Sequence, residues 1–158
     1  MKKLAPMRFA QRGFVRLLPL ACVFAAGSAS AHSPSSDPVV GTWLVEQPAA
    51  PFPLHLYVFN ADQTMQQANP DAGDPRTSDS DGKGAWRRKD GKVSGKWVEI
   101  MADRLTHKLT GRGEFTYEID VAADNLTGTG TFLGYAADGK VFVGPIAAPF
   151  TGTRVTAP

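Results

Sequence analysis

Glu114 to Val121 alternates strictly: Phe115, Tyr117, Ile119 and Val121 fall on one parity, Glu114, Thr116, Glu118 and Asp120 on the other. A period of two belongs to a strand with one face buried and one in water, and a helix of 3.6 residues per turn cannot satisfy it. The stretch predicts an antiparallel strand with its aromatic set inward. Its neighbours agree. Asp90-Gly91 and Asp138-Gly139 each separate two strand-like runs and tolerate the positive φ that tight hairpin turns need.

Further strands are expected at 39–46, 54–60, 65–68, 84–89, 92–101, 126–135, 140–143 and 150–155. Between 54 and 60 both parities are apolar, so alternation leaves open whether Leu54, Leu56 and Val58 or His55, Tyr57 and Phe59 point inward. Between 92 and 101 the choice is clearer. Lys96 wants water and Trp97 wants burial, which places Val93, Gly95, Trp97, Glu99 and Met101 inside. Gln47 to Pro53 carries three prolines and reads as a loop over one mouth. Asn69 to Lys83 and Ala102 to Gly113 read as polar connections. Within the first of these, Asp79-Ser80-Asp81-Gly82 echoes a calcium loop but lacks the spaced ligands and closing glutamate.

Short strands in succession, with tight turns and no helical period, predict an all-β fold. The expectation is a single up-and-down antiparallel barrel of about eight strands over residues 39–156, with a sandwich as the alternative. A barrel removes its own edges and leaves an interior wide enough for one small ligand.

The N-terminal residues carry a different signal. Lys2, Lys3, Arg8, Arg12 and Arg16 precede an apolar run from Leu17 to Gly27, and Ala29-Ser30-Ala31 supplies small residues for cleavage. Residues 1–31 therefore read as a Sec-type signal peptide cleaved after Ala31, with a secreted or periplasmic product and no membrane anchor after cleavage. Residues 32–38 read as a flexible lead-in. Removing the five early basic residues leaves 12 basic against 15 acidic side chains, a net charge of −3. That balance argues against nucleic acid as a partner, and Arg87-Arg88-Lys89 reads as a solvated strand edge. Cys22 is the sole cysteine and departs with the signal, so the barrel must hold by its apolar core.

Gly41-x-Trp43 on the first strand resembles the opening signature of the calycins, which include lipocalins, fatty-acid-binding proteins and avidins. In lipocalins a basic residue of the last strand lies across that tryptophan, and Arg154 is the matching position here. The resemblance implies a barrel closed structurally by Trp43 and Arg154, and the habit of binding small apolar molecules in a cup. The Thr-Asp-Tyr signature of kernel lipocalins is absent, and the resemblance implies no ligand identity.

The expected function is thus binding of a small hydrophobic or amphipathic molecule inside the barrel. Candidate ligand-binding residues are Tyr57, Phe59, Trp86, Trp97, Glu99, Phe115 and Tyr117. The alternative is an isomerase, cyclase or lyase in which Glu99 works with His55 or His107, and Tyr57 and Arg104 serve as hydrogen-bond partners. A buried carboxyl beside an imidazole can move protons near neutral pH. A third reading is a periplasmic interaction or inhibitor protein that uses the 69–83 or proline-rich loop. No hydrolase, zinc or nucleotide motif is present, so no cofactor and no metal is expected; His32, which would become the N-terminus, is the one copper candidate, and it lacks a second histidine.

Overall fold

The computed structural model of the chain describes residues 37–70 and 75–158. The expected signal peptide, most of the lead-in and His32 lie outside these residues. The described chain forms nine strands and no helix: β1 Gly41–Glu46, β2 Leu54–Phe59, β3 Thr64–Ala68, β4 Thr77–Asp79, β5 Gly82–Lys89, β6 Lys92–Asp103, β7 Leu109–Ala122, β8 Asn125–Ala136 and β9 Val141–Arg154. Eight of them close an antiparallel barrel in the order β1-β2-β3-β5-β6-β7-β8-β9, and β9 returns to β1 through Trp43↔Arg154 to Glu46↔Thr151. The remaining strand, β4, pairs with the last residues of β6 beyond the end of β5.

Alternation sets the inner face. Phe115, Tyr117 and Ile119 of β7 are buried, as are Val93 and Trp97 of β6. On β2 the buried parity is His55, Tyr57 and Phe59, while Leu54 and Leu56 are 51% and 44% exposed. The aromatic parity wins because its rings interlock. Tyr57 meets Phe59, Tyr117 and Phe150 at centroid distances of 5.9 to 6.4 Å, within the range for tilted aromatic pairs. The Thr-Gly repeat of β8 makes space for them. A Cβ on Gly128 would stand 2.3 Å from the Phe150 ring, and one on Gly130 would stand 2.0 Å from Phe115.

Three connections differ from the expectation drawn from sequence. The 69–83 stretch contains β4 and the start of β5. Because β6 outruns β5, its residues 101–103 would have a bare edge, and Thr77–Asp79 covers it. The 102–113 stretch is mostly strand, since β6 reaches Asp103 and β7 begins at Leu109. The turn between is compact because the Asp103 carboxylate accepts hydrogen bonds from the Leu105 and Thr106 amides and the Thr106 hydroxyl. The expected strands at 140–143 and 150–155 are one strand, β9, which passes through Pro145 and Pro149. Both prolines sit where β9 pairs with β8 alone, as β1 reaches only residues 151–154. An imide nitrogen on that free edge removes no ladder bond.

One end of the barrel is sealed by Trp43. Its ring is fully buried and its Nε1–H donates to the Val39 carbonyl at 2.8 Å. The Arg154 guanidinium carbon lies 4.2 Å from the ring centroid, and Nη1 and Nε donate to the Val40 carbonyl at 2.9 Å and to Asp124 Oδ1 at 3.1 Å. The chain just before β1 is fixed from the other side by a two-bond contact between Arg88 and the Asp37 carboxylate, each bond 2.8 Å. Replacement Trp43→Ala is expected to cost about 3–5 kcal/mol, in the range for a buried tryptophan, and Arg154→Lys less, because a lysine keeps the charge and loses the planar fork. Urea unfolding measures both. An unchanged midpoint in Trp43→Ala would mean that the ring contributes nothing to the core.

Candidate binding site

Away from the Trp43 end, four polar side chains are buried on the barrel wall or in the loop above it: Gln47, His55, Gln67 and Glu99. Each has to be satisfied or to be met by something else, because an unpaired polar group in a dry interior is costly. Gln67 of β3 shares its parity with the buried Met65 and so points inward. Its Oε1 accepts from the Gly82 amide at 3.0 Å, and its Nε2 contacts His55 Nδ1 at 3.0 Å. The Tyr57 hydroxyl donates to Gln47 Oε1 at 3.5 Å. The Trp97 N–H faces the same hydroxyl closely enough to favour its charged form but falls short of hydrogen-bond geometry. Burial pushes the phenols of Tyr57 and Tyr117 well up, so both stay neutral.

Glu99 is placed inward by the register of β6, and it lies opposite Gly113 of β7. That glycine is required by close approach. A Cβ there would stand 2.5 Å from Glu99 Oε1 and 2.7 Å from the Phe132 ring. The carboxyl is 8% exposed, and among the described residues no lysine or arginine pairs with it. Burial is the main cause that pushes its pKa up to about 7, and the nearby Asp79 carboxylate adds to it. His55 moves the other way: burial lowers its pKa, and the Phe52 backbone opposes this weakly. At neutral pH the imidazole is therefore uncharged and the carboxyl is close to half-protonated.

These groups share a cavity of about 260 Å³. Its flat walls are Trp97, Phe115 and Phe132, its polar wall is His55, Gln67 and Glu99, and residues 49–52 lie across its mouth. Trp97 stacks on Phe115 with centroids 5.2 Å apart and planes inclined by 23°. The volume is just under the roughly 300–1,000 Å³ of sites for drug-sized ligands. Comparison with known proteins gives no match: no protein-family model, curated protein or solved structure matches the chain.

Of the residues singled out in the sequence, Trp97, Glu99, Phe115 and His55 come together here. Tyr57, Phe59 and Tyr117 pack with one another in the core, and Trp86 packs edge-on against Phe59 while its N–H donates to the Asn60 carbonyl at 3.0 Å. His107 lies in the exposed 104–108 turn with a φ of 56°, and Arg104 is tied to the Thr77 carbonyl at 3.0 Å, so neither lines the cavity. Gln67 went unnoticed in the sequence, although its parity with Met65 was the available signal. Among the described residues no group of three His, Cys, Asp or Glu side chains is placed to hold a metal ion.

The raised Glu99 pKa ties stability to pH. A carboxyl that holds its proton more tightly when folded gives a contribution that is complete below the ordinary value of 4.5 and is lost as pH rises through about 7. The size is on the order of 3 kcal/mol. His55 acts with opposite sign, losing stability as pH falls through 6.5, so the comparison must be made against a variant. Between pH 4.5 and 8 the stability of wild type relative to Glu99→Gln should fall by that amount in urea unfolding. A difference independent of pH would mean that the carboxyl is solvated.

Proposed function

We propose that the protein is an exported calycin-like barrel that binds a small molecule with a flat apolar body and a polar end in the mouth cavity. The observation that carries this reading is the pairing of an aromatic slot, Trp97, Phe115 and Phe132, with buried polar groups on one wall. A filled core would bury Glu99 and His55 to no purpose, since neither gains a charged partner and both titrate away from their ordinary values. Export is supported by the basic, apolar and small-residue succession of residues 1–31. The calycin-like assignment is supported by Gly41-x-Trp43 on β1 with Arg154 stacked above it.

Ala148 is buried on the cavity wall, so Ala148→Leu would fill the slot from one side. The test is a titration of small aromatic compounds followed by Trp97 fluorescence in a Trp43→Phe, Trp86→Phe background. Saturable quenching in that background, lost in Ala148→Leu with the melting temperature preserved, is the expected outcome. Quenching that survives Ala148→Leu undiminished would place the ligand elsewhere.

A second reading, proton transfer of the isomerase, cyclase or lyase kind, is favoured by one observation. A carboxyl that titrates near 7 shares a cavity with a neutral imidazole, which suits a general acid and base. Its test is exchange of the protons α to the carbonyl of cyclohexanone in D2O, followed by NMR. Catalysed exchange that disappears in Glu99→Gln supports it; exchange no faster than with buffer counts against it.

A further inference from the structure

The Gln67 amide settles which nitrogen of His55 carries the proton. A backbone N–H can only donate, so the Gln67 atom that meets the Gly82 amide must be the oxygen. The atom that meets His55 Nδ1 is then the NH2 group, which can only donate. Nδ1 is therefore the acceptor, and the neutral ring bears its proton on Nε2. That Nε2–H is buried, in a residue 6% exposed that lines the cavity, and it has no hydrogen-bond partner among the described residues. The Phe52 backbone approaches the ring without the geometry of a full bond, and the Nε2 atom is closed off from the cavity, so an acceptor carried by a ligand reaches this N–H by taking the place of the Phe52 backbone.

A buried donor with nothing to donate to is the complement of an acceptor that the ligand brings. We infer that the polar end of the ligand is an uncharged acceptor, a ketone, aldehyde, ester or lactone carbonyl, seated on His55 Nε2–H, with Gln67 as the residue that positions the ring. This rests on the cavity being the binding site, as proposed above. An anion fits poorly, because Glu99 brings a carboxyl to the cavity and no lysine or arginine lines it. The protonated form of Glu99 adds a second donor below neutral pH, whereas its ionised form repels a carboxylate.

Three probes with one body and different ends separate the possibilities: 2-acetylnaphthalene, 2-ethylnaphthalene and 2-naphthoate, titrated at pH 6 by calorimetry or Trp97 fluorescence. The ketone should bind about tenfold more tightly than the hydrocarbon, the scale of one net hydrogen bond to a buried donor, and more tightly than the carboxylate. In His55→Phe the ketone and the hydrocarbon should become equal while the hydrocarbon still binds. Equal affinity of ketone and hydrocarbon in wild type, or preference for the carboxylate, overturns the inference and leaves the cavity as a binding site. Failure of all three to bind overturns both.

Long-range nitrogen-15 NMR of His55 in wild type gives a readout that needs no ligand and no folded His55 variant. The expected pattern is a protonated Nε2 and a bare Nδ1, with Gln67→Leu letting the second tautomer appear. A protonated Nδ1 in wild type would overturn the assignment.

Discussion

Without β9, strand β1 would present a bare row of amides and carbonyls on one side, and β8 would do the same on another. Their pairing, from Trp43↔Arg154 to Glu46↔Thr151, removes both edges and turns a meander into a closed wall. Every other feature depends on that closure. It gives the barrel strands an inner face on which aromatic side chains can interlock, and it turns the glycines of β8 into space for rings. It also fixes the two ends as different places. At one end Trp43 and Arg154 shut the interior; at the other the longer strands β6 to β9 continue past their neighbours.

The unequal strand lengths explain where polar chemistry is tolerated. Near the Trp43 end the wall is complete and the filling is apolar: Phe59, Val93, Ile119 and Leu126 are buried there with Trp43. Towards the open end the wall thins, β4 covers part of β6, and the 47–53 loop stands in for a lid. Buried glutamine, histidine and glutamate occur in this half. Gln67 is satisfied by Gly82 and His55, but the second imidazole nitrogen has no hydrogen-bond partner among the described residues, and His55 and Glu99 both line the cavity. The division resembles a jar with a fixed base and a furnished neck.

Much of the fold was legible because its periodicities are pure. The alternation at 114–121 and the two Asp-Gly turns specify strands and hairpins with little competition from other structures. Where the signal failed, the cause is physical. On β2 both parities are apolar, and the choice was made by ring packing with β7 and β9, which no local pattern encodes. On β9 two strands were expected, 140–143 and 150–155, and the residues between them continue the strand because Pro145 and Pro149 fall on an edge that pairs on one side only. Thr77–Asp79 has no strand pattern of its own and is ordered by a partner that happens to be long. The site was half legible. Opposite demands of Lys96 and Trp97 placed Glu99 inside, whereas the roles of His55 and Gln67 required knowing which face of β2 is buried and that Gly82 lies across from Gln67.

The pairing of β1 with β9 also has a bearing on how the chain acquires its structure. The first strand to be made finds its second neighbour only when the final strand, Val141–Arg154, is available. Until then the hairpins from β5 to β8 can form locally, but Trp43 has no Arg154 above it and two long edges stay open. Pairings between residues far apart in sequence raise the mean separation of contacts and slow folding, and the incomplete sheet is a template for pairing with other chains. The barrel wall therefore closes only once nearly the whole described chain, up to Arg154, is available to pair.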